Sequence, residues 1–324
     1  MSDCAGCPKI QSQAGARWVA PRRDRPLSGI LNVDKPPGMT SHDVVNAVRR
    51  VVGQRKVGHA GTLDPMATGV LLVCLGQATR VAEYLMSGRK LYRATIALGA
   101  STDTFDAQGQ VTRSGGRIAF DREEIEAGLQ CFLGSIDQVP PIYSALKRDG
   151  QPLYKLARQG KSVELGPRPV EIYGITLLDW TSPSLIVEVS CSPGTYIRSL
   201  AHDLGQRLGS DAHLAALVRL ESGRFSLQGA VSLERLEEAF RHGQGEGYLL
   251  PLDEALLDWP AIVVGSDDAR RLANGQAILA DPPSMEGDGA GLHRAYSVDG
   301  QFLAVLAFEP EAGRWQPKKV FGHG

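Results

Sequence analysis

No apolar run in this chain approaches the ~20 residues that cross a bilayer. The opening residues MSDCAGCPKIQSQ also lack the basic stretch followed by an apolar one that marks a secretory signal. A cytoplasmic location and no membrane partner are therefore expected. Cysteine is scarce: five in 324 residues, Cys4, Cys7, Cys74, Cys131 and Cys191. An odd count in a chain of this length argues against a disulfide scaffold. Cys4 and Cys7 form half of a zinc pattern, but no second C-x-x-C or H-x₃₋₅-H pair supplies the remaining ligands. They read as free thiols in a polar tail, and no metal is expected.

A large charge excess is missing too, since the net charge is −1. The distribution is less even: residues 1–60 hold ten Lys and Arg against four Asp and Glu, which leaves the remainder acidic. Binding phosphates takes a local positive face, not a positive total, so a nucleic-acid partner stays open. Familiar catalytic patterns are absent as well. G-x-S-x-G and H-E-x-x-H do not occur. Gly160-Lys161-Ser162 echoes a phosphate-binding loop, but Lys155 stands where the first glycine is required. Ser144 and Lys147 match S-x-x-K without the S-D-N and K-T-G that accompany it. Asp103 and Asp106 ahead of Gly109 hint at a calcium loop, yet Ser114 occupies the position of its last acid. These failures remove the common hydrolase, NTPase and metal explanations.

What is present is an ordinary globular composition, 43% hydrophobic and 22% charged, long enough for a large and a small domain. Residues 1–27 read as a flexible basic leader. SGILNVDKPPG reads as a strand running into a turn, and TSHDVVNAVRRVVGQRK as a helix with Thr40 or Ser41 as cap. VLLVCLG suits a buried strand, KLYRATIALG another, and DREEIEAGLQCFLG a helix with the Asp121/Glu124 capping-box spacing. Residues 137–170 are basic and punctuated by Pro and Gly. IYGITLLDW and SLIVEVSC alternate as half-buried strands, whereas TYIRSLAHDLGQRLG and SLERLEEAF return to helical spacing. A boundary is placed near residue 250, followed by a compact β-rich unit over 251–324. Because strands and helices do not alternate strictly, the class expected is α+β.

One stretch, GHAGTLDPMATGVL at 58–71, is unusually specific. Asp64 sits there with no other acid within fifteen residues on either side. Asp-Pro alone is a common turn, but the surrounding glycines permit close backbone approach, and His59 and Thr62 add polar groups. The longer stretch GHAGTLDPMATGVLLVCLGQATR resembles the signature of the pseudouridine synthase family that includes the bacterial tRNA pseudouridine-55 synthases. The resemblance runs in order over residues 28–225. LNVDKPPGMTS, KLYRATIALGASTDTFDAQG, PPIYSALKRDGQPLYKLARQG, CSPGTYIRSLAHDLG and AHLAALVRLESGRF are similar to its further motifs. Pro193 departs from the pattern, which more often has Lys, and puts the RNA contact of that loop in question.

The resemblance implies a mixed, largely antiparallel central sheet flanked by helices over 28–250, an RNA-gripping insertion at 137–170, and a small PUA-like RNA-binding domain at 251–324. It implies isomerisation of the T-loop uridine of tRNA, position 55, to pseudouridine, with Asp64 as catalytic nucleophile. Asp64 either attacks C1′ or promotes loss of a ribose proton. Arg198 is the cation expected to keep it ionised, since burial alone raises a carboxylate's pKa. Tyr92 is implied to stack on the base and remove the C5 proton. Tyr196 and Leu217 line the base pocket and His59 helps hold the loop open. Lys35 either supports the first motif's turn or contacts phosphate. Lys147, Arg148, Lys155, Arg158 and Lys161 are expected phosphate contacts, with Tyr143 and Tyr154 stacking on bases. The chemistry needs no cofactor; the partner is the T-arm of tRNA, with no obligatory protein partner, and a monomer is expected. The rival readings are a guide-RNA-dependent relative acting on ribosomal RNA and a non-catalytic RNA-binding or chaperone protein.

Overall fold

The computed structural model describes residues 25–141, 166–279 and 291–321, together with the backbone of 147–148 and 151–152. Most of the leader, with Cys4 and Cys7, lies outside the described residues. So does most of the insertion, including Tyr143, Tyr154, Lys155, Arg158, Lys161 and the side chains of Lys147 and Arg148.

The chain opens with β1 (Gly29–Lys35), α1 (Ser41–Val52), β2 (Val57–Ala60) and β3 (Thr68–Leu75), then α2 (Ala82–Ser87) and β4 (Lys90–Leu98). A hairpin of β5 (Ala100–Thr102) and β6 (Val111–Ser114) precedes α3 (Arg122–Gln130), β7 (Gly134–Gln138) and the two short strands β8 (Lys147–Arg148) and β9 (Gln151–Pro152). Next come β10 (Arg168–Thr181), β11 (Ser184–Cys191), α4 (Ile197–Arg207), β12 (Ala212–Ser222), β13 (Phe225–Ser226), β14 (Val231–Ser232) and α5 (Leu233–Arg241). The last part holds β15 (Ala261–Val264), α6 (Ser266–Ala273), β16 (Leu292–Ser297), β17 (Phe302–Glu309) and β18 (Arg314–Val320).

The main sheet runs β14-β1-β3-β12-β4-β11-β10-β7, with β2 added to β3 and β13 to β12. Two of its pairings, β1 with β14 and β3 with β12, are parallel, and the others are antiparallel. The architecture is therefore the expected α+β. Strand β3 reads TGVLLVCL without alternation because both of its faces are covered. On one face Leu71, Val73 and Leu75 pack with Val44, Val45 and Val48 of α1 in a core that also takes Leu200 and Leu204 of α4. On the other face Val70, Leu72 and Cys74 share a core with Val305 and Phe321 of the C-terminal sheet. That sheet, β15-β16-β17-β18, has its own core around Leu272, Leu306 and Trp315. It is tied to the body by an ion pair of Lys319 Nζ with Glu83 Oε1 at 2.8 Å and by Arg80 donating to the carbonyl of Val320.

The helix caps follow the sequence. Thr40 and Asp43 close a capping box on α1, which ends at Gly53 with φ 71°, and Asp121 and Glu124 do the same for α3.

One edge of β3 forks. Its start pairs with β12 through Thr68 and Gly69, whereas its end pairs with β2 from Leu72 onward. Between the two partners the backbone polar groups need other company. Gly69 stands at the fork with φ +94°, and a Cβ there would lie 2.3 Å from the carbonyl oxygen of Arg219 on β12. Gly69→Ala must therefore both strain the backbone and part β3 from β12. The expected loss is about 3–5 kcal/mol of unfolding free energy, read from guanidinium denaturation; wild-type stability would overturn this account of the fork.

Candidate active site

Asp64 lies in the turn between β2 and β3, and that turn is pinned from the first motif. Ser41, the first residue of α1, donates from Oγ to the carbonyl of Leu63 at 3.1 Å and accepts from its amide at 2.8 Å. The amide of Gly38 donates to the carbonyl of Pro65 at 2.9 Å. Lys35 at the end of β1 is wholly buried and donates from Nζ to the carbonyls of Pro36, Pro65 and Ala67 at 3.0, 3.1 and 2.6 Å. Its three N–H groups are thereby engaged beneath the turn. Between the two roles expected for Lys35, this geometry matches the turn support and leaves none of the ammonium for a phosphate. Burial pushes its pKa down to about 8, with the Asp64 carboxylate opposing.

Arg198 reaches the same carboxylate from the first turn of α4. Its Nη2 donates to Asp64 Oδ1 at 3.1 Å, and its Nε lies 2.9 Å from Oδ2. The guanidinium thus meets the carboxylate at two points, of which the Nη2 contact has hydrogen-bond geometry and the Nε contact is an ion pair. The start of α4 is held by a buried amide: Gln138 of β7 accepts from the amide of Tyr196 at 2.8 Å and donates to its carbonyl at 3.0 Å. Burial raises the pKa of Asp64; the Arg198 guanidinium and, less strongly, Lys35 pull it back, while Asp106 adds to the rise.

Asp106 is the acid that sequence reasoning missed. It was weighed only as part of a calcium loop, yet its Oδ2 lies 3.7 Å from Arg198 Nη1, which also donates to the carbonyl of Thr104 at 3.2 Å. A second carboxylate thus stands behind Arg198, correcting the picture of Asp64 as an isolated acid. Asp106 is buried, its Oδ1 accepts from Thr104 Oγ1 and from the amide of Gln108 at 2.7 and 3.0 Å, and it does not line the cavity. It therefore gives no paired-acid hydrolase site, whose two carboxylates must both face the scissile bond.

A cavity of about 410 Å³ opens over Asp64. It brings together Asp64, Tyr92, Tyr196, Arg198 and Leu217, as well as Pro193 at the loop before α4. His59 is not part of the lining. It sits half-buried on β2, paired with Val73, and burial lowers its pKa. Tyr92 is buried, and desolvation raises its phenol's pKa, with the neighbouring Arg219 opposing.

Lys90 and Arg219 also line the cavity, and the sequence reading passed over both. Arg219 fills the fork of β3. It donates from Nε to Val70 O at 2.6 Å, from Nη2 to Gly61 O at 3.2 Å and from Nη1 to Thr62 O at 3.5 Å. Lys90 donates to the carbonyls of Leu85, Met86 and Gly88 at 3.3, 3.2 and 2.7 Å at the end of α2. The available signal was period two: Lys90 and Tyr92 on β4, like Leu217 and Arg219 on β12, share an inward face. Among the described residues no group of His, Cys, Asp and Glu is arranged to hold a metal ion, and no helix is long and apolar enough to cross a membrane.

Comparison with known proteins agrees with this geometry. Residues 49–197 match the family described as TruB family pseudouridylate synthase (N terminal domain), and residues 198–257 match the tRNA pseudouridylate synthase B C-terminal domain. The chain is 48% identical to the tRNA pseudouridine synthase B of Syntrophotalea carbinolica, over 89% of this chain and 94% of that one. Its identity to the enzyme of the same name from Dehalococcoides mccartyi is 46%, covering 91% and 97%. Among solved structures it resembles one described as a Cbf5-Nop10-Gar1 complex, with TM-score 0.69 and 26% identity over 91% of this chain and 84% of that one. The chain belongs to the TruB family of pseudouridylate synthases. The two family models meet between Ile197 and Arg198, at the start of α4, a helix that packs into the core of the main sheet.

The buried Lys35 supplies a pH test. Its folded pKa of about 8 lies below its ordinary 10.5, so between those values the unfolded chain binds more protons and this group's contribution to stability rises with pH. The stability difference between wild type and Lys35→Met should shift toward wild type by up to about 3 kcal/mol from pH 8 to 10.5. Denaturant titrations across that range check it; a flat difference would mean that Lys35 is not held by burial.

Proposed function

We propose that this chain converts uridine to pseudouridine in tRNA, at the T-loop position 55, with Asp64 acting on the ribose. The observation that carries the reading is the Asp64 carboxylate, engaged at two points by a buried arginine and facing a cavity with Tyr92. It stands in a chain whose relatives at 41–48% identity are named tRNA pseudouridine synthase B. Pseudouridylation breaks the N1–C1′ bond, turns the uracil and rejoins it through C5. Asp64 either adds to C1′ or takes up a ribose proton as the base departs. Tyr92 stacks on the base and accepts the C5 proton late in the reaction. Tyr196 and Leu217 bound the base, and Arg198 keeps the carboxylate charged.

The target uridine must leave its stack to meet Asp64, at a cost of a few kcal/mol, which contacts elsewhere on the tRNA offset. In this reading residues 28–250 form the catalytic body and 251–324 the RNA-binding unit, His59 supports the opened loop, and the enzyme works in the cytoplasm as a monomer without a protein partner. The guide-RNA alternative takes its support from the likeness to the Cbf5 complex, but the closer relatives carry a tRNA name. Conversion of bare tRNA transcript separates the two.

Tritium release from 5-tritiated uridine in tRNA tests the assignment. Wild type should release label at position 55, and Asp64→Asn should lose at least about 10³-fold of the rate. Full activity in Asp64→Asn would remove Asp64 from the chemistry, and no release on any tRNA would remove the isomerase reading. Tyr92→Phe should still cleave N1–C1′ but release label at least about 10²-fold more slowly; equal slowing of cleavage would give Tyr92 an earlier role.

A further inference from the structure

Arg198 has two carboxylates to answer its charge. Lys90 and Arg219 have none: among the described residues neither lies within ion-pair distance of an Asp or Glu. Yet Lys90 is 5% exposed and Arg219 1%, and buried cations are ordinarily paired, because stripping their water is expensive. The three carbonyls around each satisfy hydrogen bonds but carry no net charge. Desolvation pushes Lys90 down to about 8, with Arg219 adding to the fall. Both side chains line the cavity that holds Asp64. Two uncompensated positive charges on one cavity wall are the electrostatic complement of an anion that arrives with the substrate.

Their placement says which anion. Lys90 and Tyr92 are inward neighbours on β4, and Arg219 is the register partner of Tyr92 on β12. In the proposed reading, a base stacked on Tyr92 therefore faces the wall that carries both cations, with its ribose toward Asp64. When N1–C1′ breaks, its electron pair goes to the base, which becomes a monoanion with charge spread over N1, O2 and O4. This holds whether C1′ is taken by a carboxylate oxygen of Asp64 or C2′ loses a proton to it. The anion then attacks C1′ through C5. Asp64 is released, or returns the proton to C2′; C5 next gives up its hydrogen and N1 takes a proton, leaving neutral pseudouridine.

We propose that Lys90 and Arg219, whose N–H groups are taken up by the carbonyls, stabilise the departing uracil anion through their charge alone, a fixed pair of charges placed where negative charge develops. The inference rests on the uridine-isomerising reading above. Because the carbonyl cages pin both cations in advance, they act without reorganising during the step. A cage whose purpose was only to close α2 would leave Lys90 important to folding but not to the bond that breaks.

The two roles separate by leaving group. Single-turnover reactions should compare wild type, Lys90→Met and the charge-keeping Lys90→Arg on tRNA carrying uridine or 5-fluorouridine at the target. Cleavage is read as loss of the N-linked nucleoside from digests. Lys90→Met should slow uridine cleavage about 10²-fold with tRNA Kd unchanged within about threefold, and Lys90→Arg should recover most of the loss. With 5-fluorouridine the deficit should shrink, since fluorine stabilises the base anion by itself. Lys90→Gln, whose amide still donates to backbone carbonyls, serves in the same comparison if the Met variant does not fold. Wild-type cleavage in the uncharged variants, an equal deficit on both nucleosides, or a loss that follows Tm and tRNA affinity would each overturn the proposal. Absence of conversion by wild type would instead overturn the isomerase reading.

Discussion

The site depends on keeping the guanidinium of Arg198 buried between two carboxylates. Removing a cation from water costs several kcal/mol, repaid only when geometry and hydrogen bonding are good. Here Asp64 takes Nε and Nη2, while Asp106 and the Thr104 carbonyl face Nη1. The arrangement joins segments far apart in the chain, since Asp64 and Arg198 are separated by 134 residues. Much of the surrounding structure serves that register. Lys35, Gly38 and Ser41 fix the Asp64 turn from below, and Gln138 fixes the backbone at which α4 begins. Loss of Gly38, Ser41 or Gln138 as a hold would remove no charge; it would let Asp64 or Arg198 drift by about an ångström, enough to weaken the contact between them.

The hairpin between β5 and β6 shows how closely that register is kept. Phe105 has φ +61°, the sole positive value at a non-glycine among the described residues, and a bulky residue adopts it only when its surroundings enforce it. Its ring stacks on His202 with centroids 4.1 Å apart. His202 stands one turn beyond Arg198 on α4 and also contacts Ser101 Oγ through Nδ1 at 3.1 Å. One helix therefore grips the 104–106 turn twice, by Arg198 on the Thr104 carbonyl and the Asp106 carboxylate, and by His202 on the side chain between them. The strain at Phe105 is stored where the Arg198 guanidinium is aimed.

Much of this was legible in the residues. The helices announced themselves through caps and apolar spacing, as at Thr40 and at Asp121 with Glu124, and the continuous apolar run of β3 read as a strand buried on both faces. Asp64 stood out by its glycine-rich turn, whereas Tyr92, Tyr196, Arg198 and Leu217 were picked out only by the resemblance of their stretches to the family's motifs. Other features were hidden for physical reasons. Strand β12 is central to the sheet, but its register shifts near Leu214 and Arg219 break the two-residue period that would reveal it. Asp106 sits in a tight turn whose acids and glycine mimic a metal loop, and only the folded chain brings Arg198 to it. Lys90 and Arg219 looked like ordinary strand charges, since nothing local to them states that the strand face is a cavity wall.

Those two cations also change what the small net charge means. A total of −1 sums every charge in the chain, buried or exposed, and on the surface, pairs such as Arg122 with Glu126 and Arg241 with Glu237 largely cancel and contribute little. Inside the cavity the balance is local and strongly polarised. The cavity presents one carboxylate, Asp64, whose charge is answered by Arg198, and two cations, Lys90 and Arg219, answered by dipoles alone. In the proposed reaction these charges favour negative charge on the departing base, and they act in a low-dielectric site where each charge counts for more than it does in water. Under the proposed reading a single carboxylate suffices, because the work assigned to a second acid in glycoside hydrolases, protonating the leaving group, falls instead to fixed positive charge on the cavity wall.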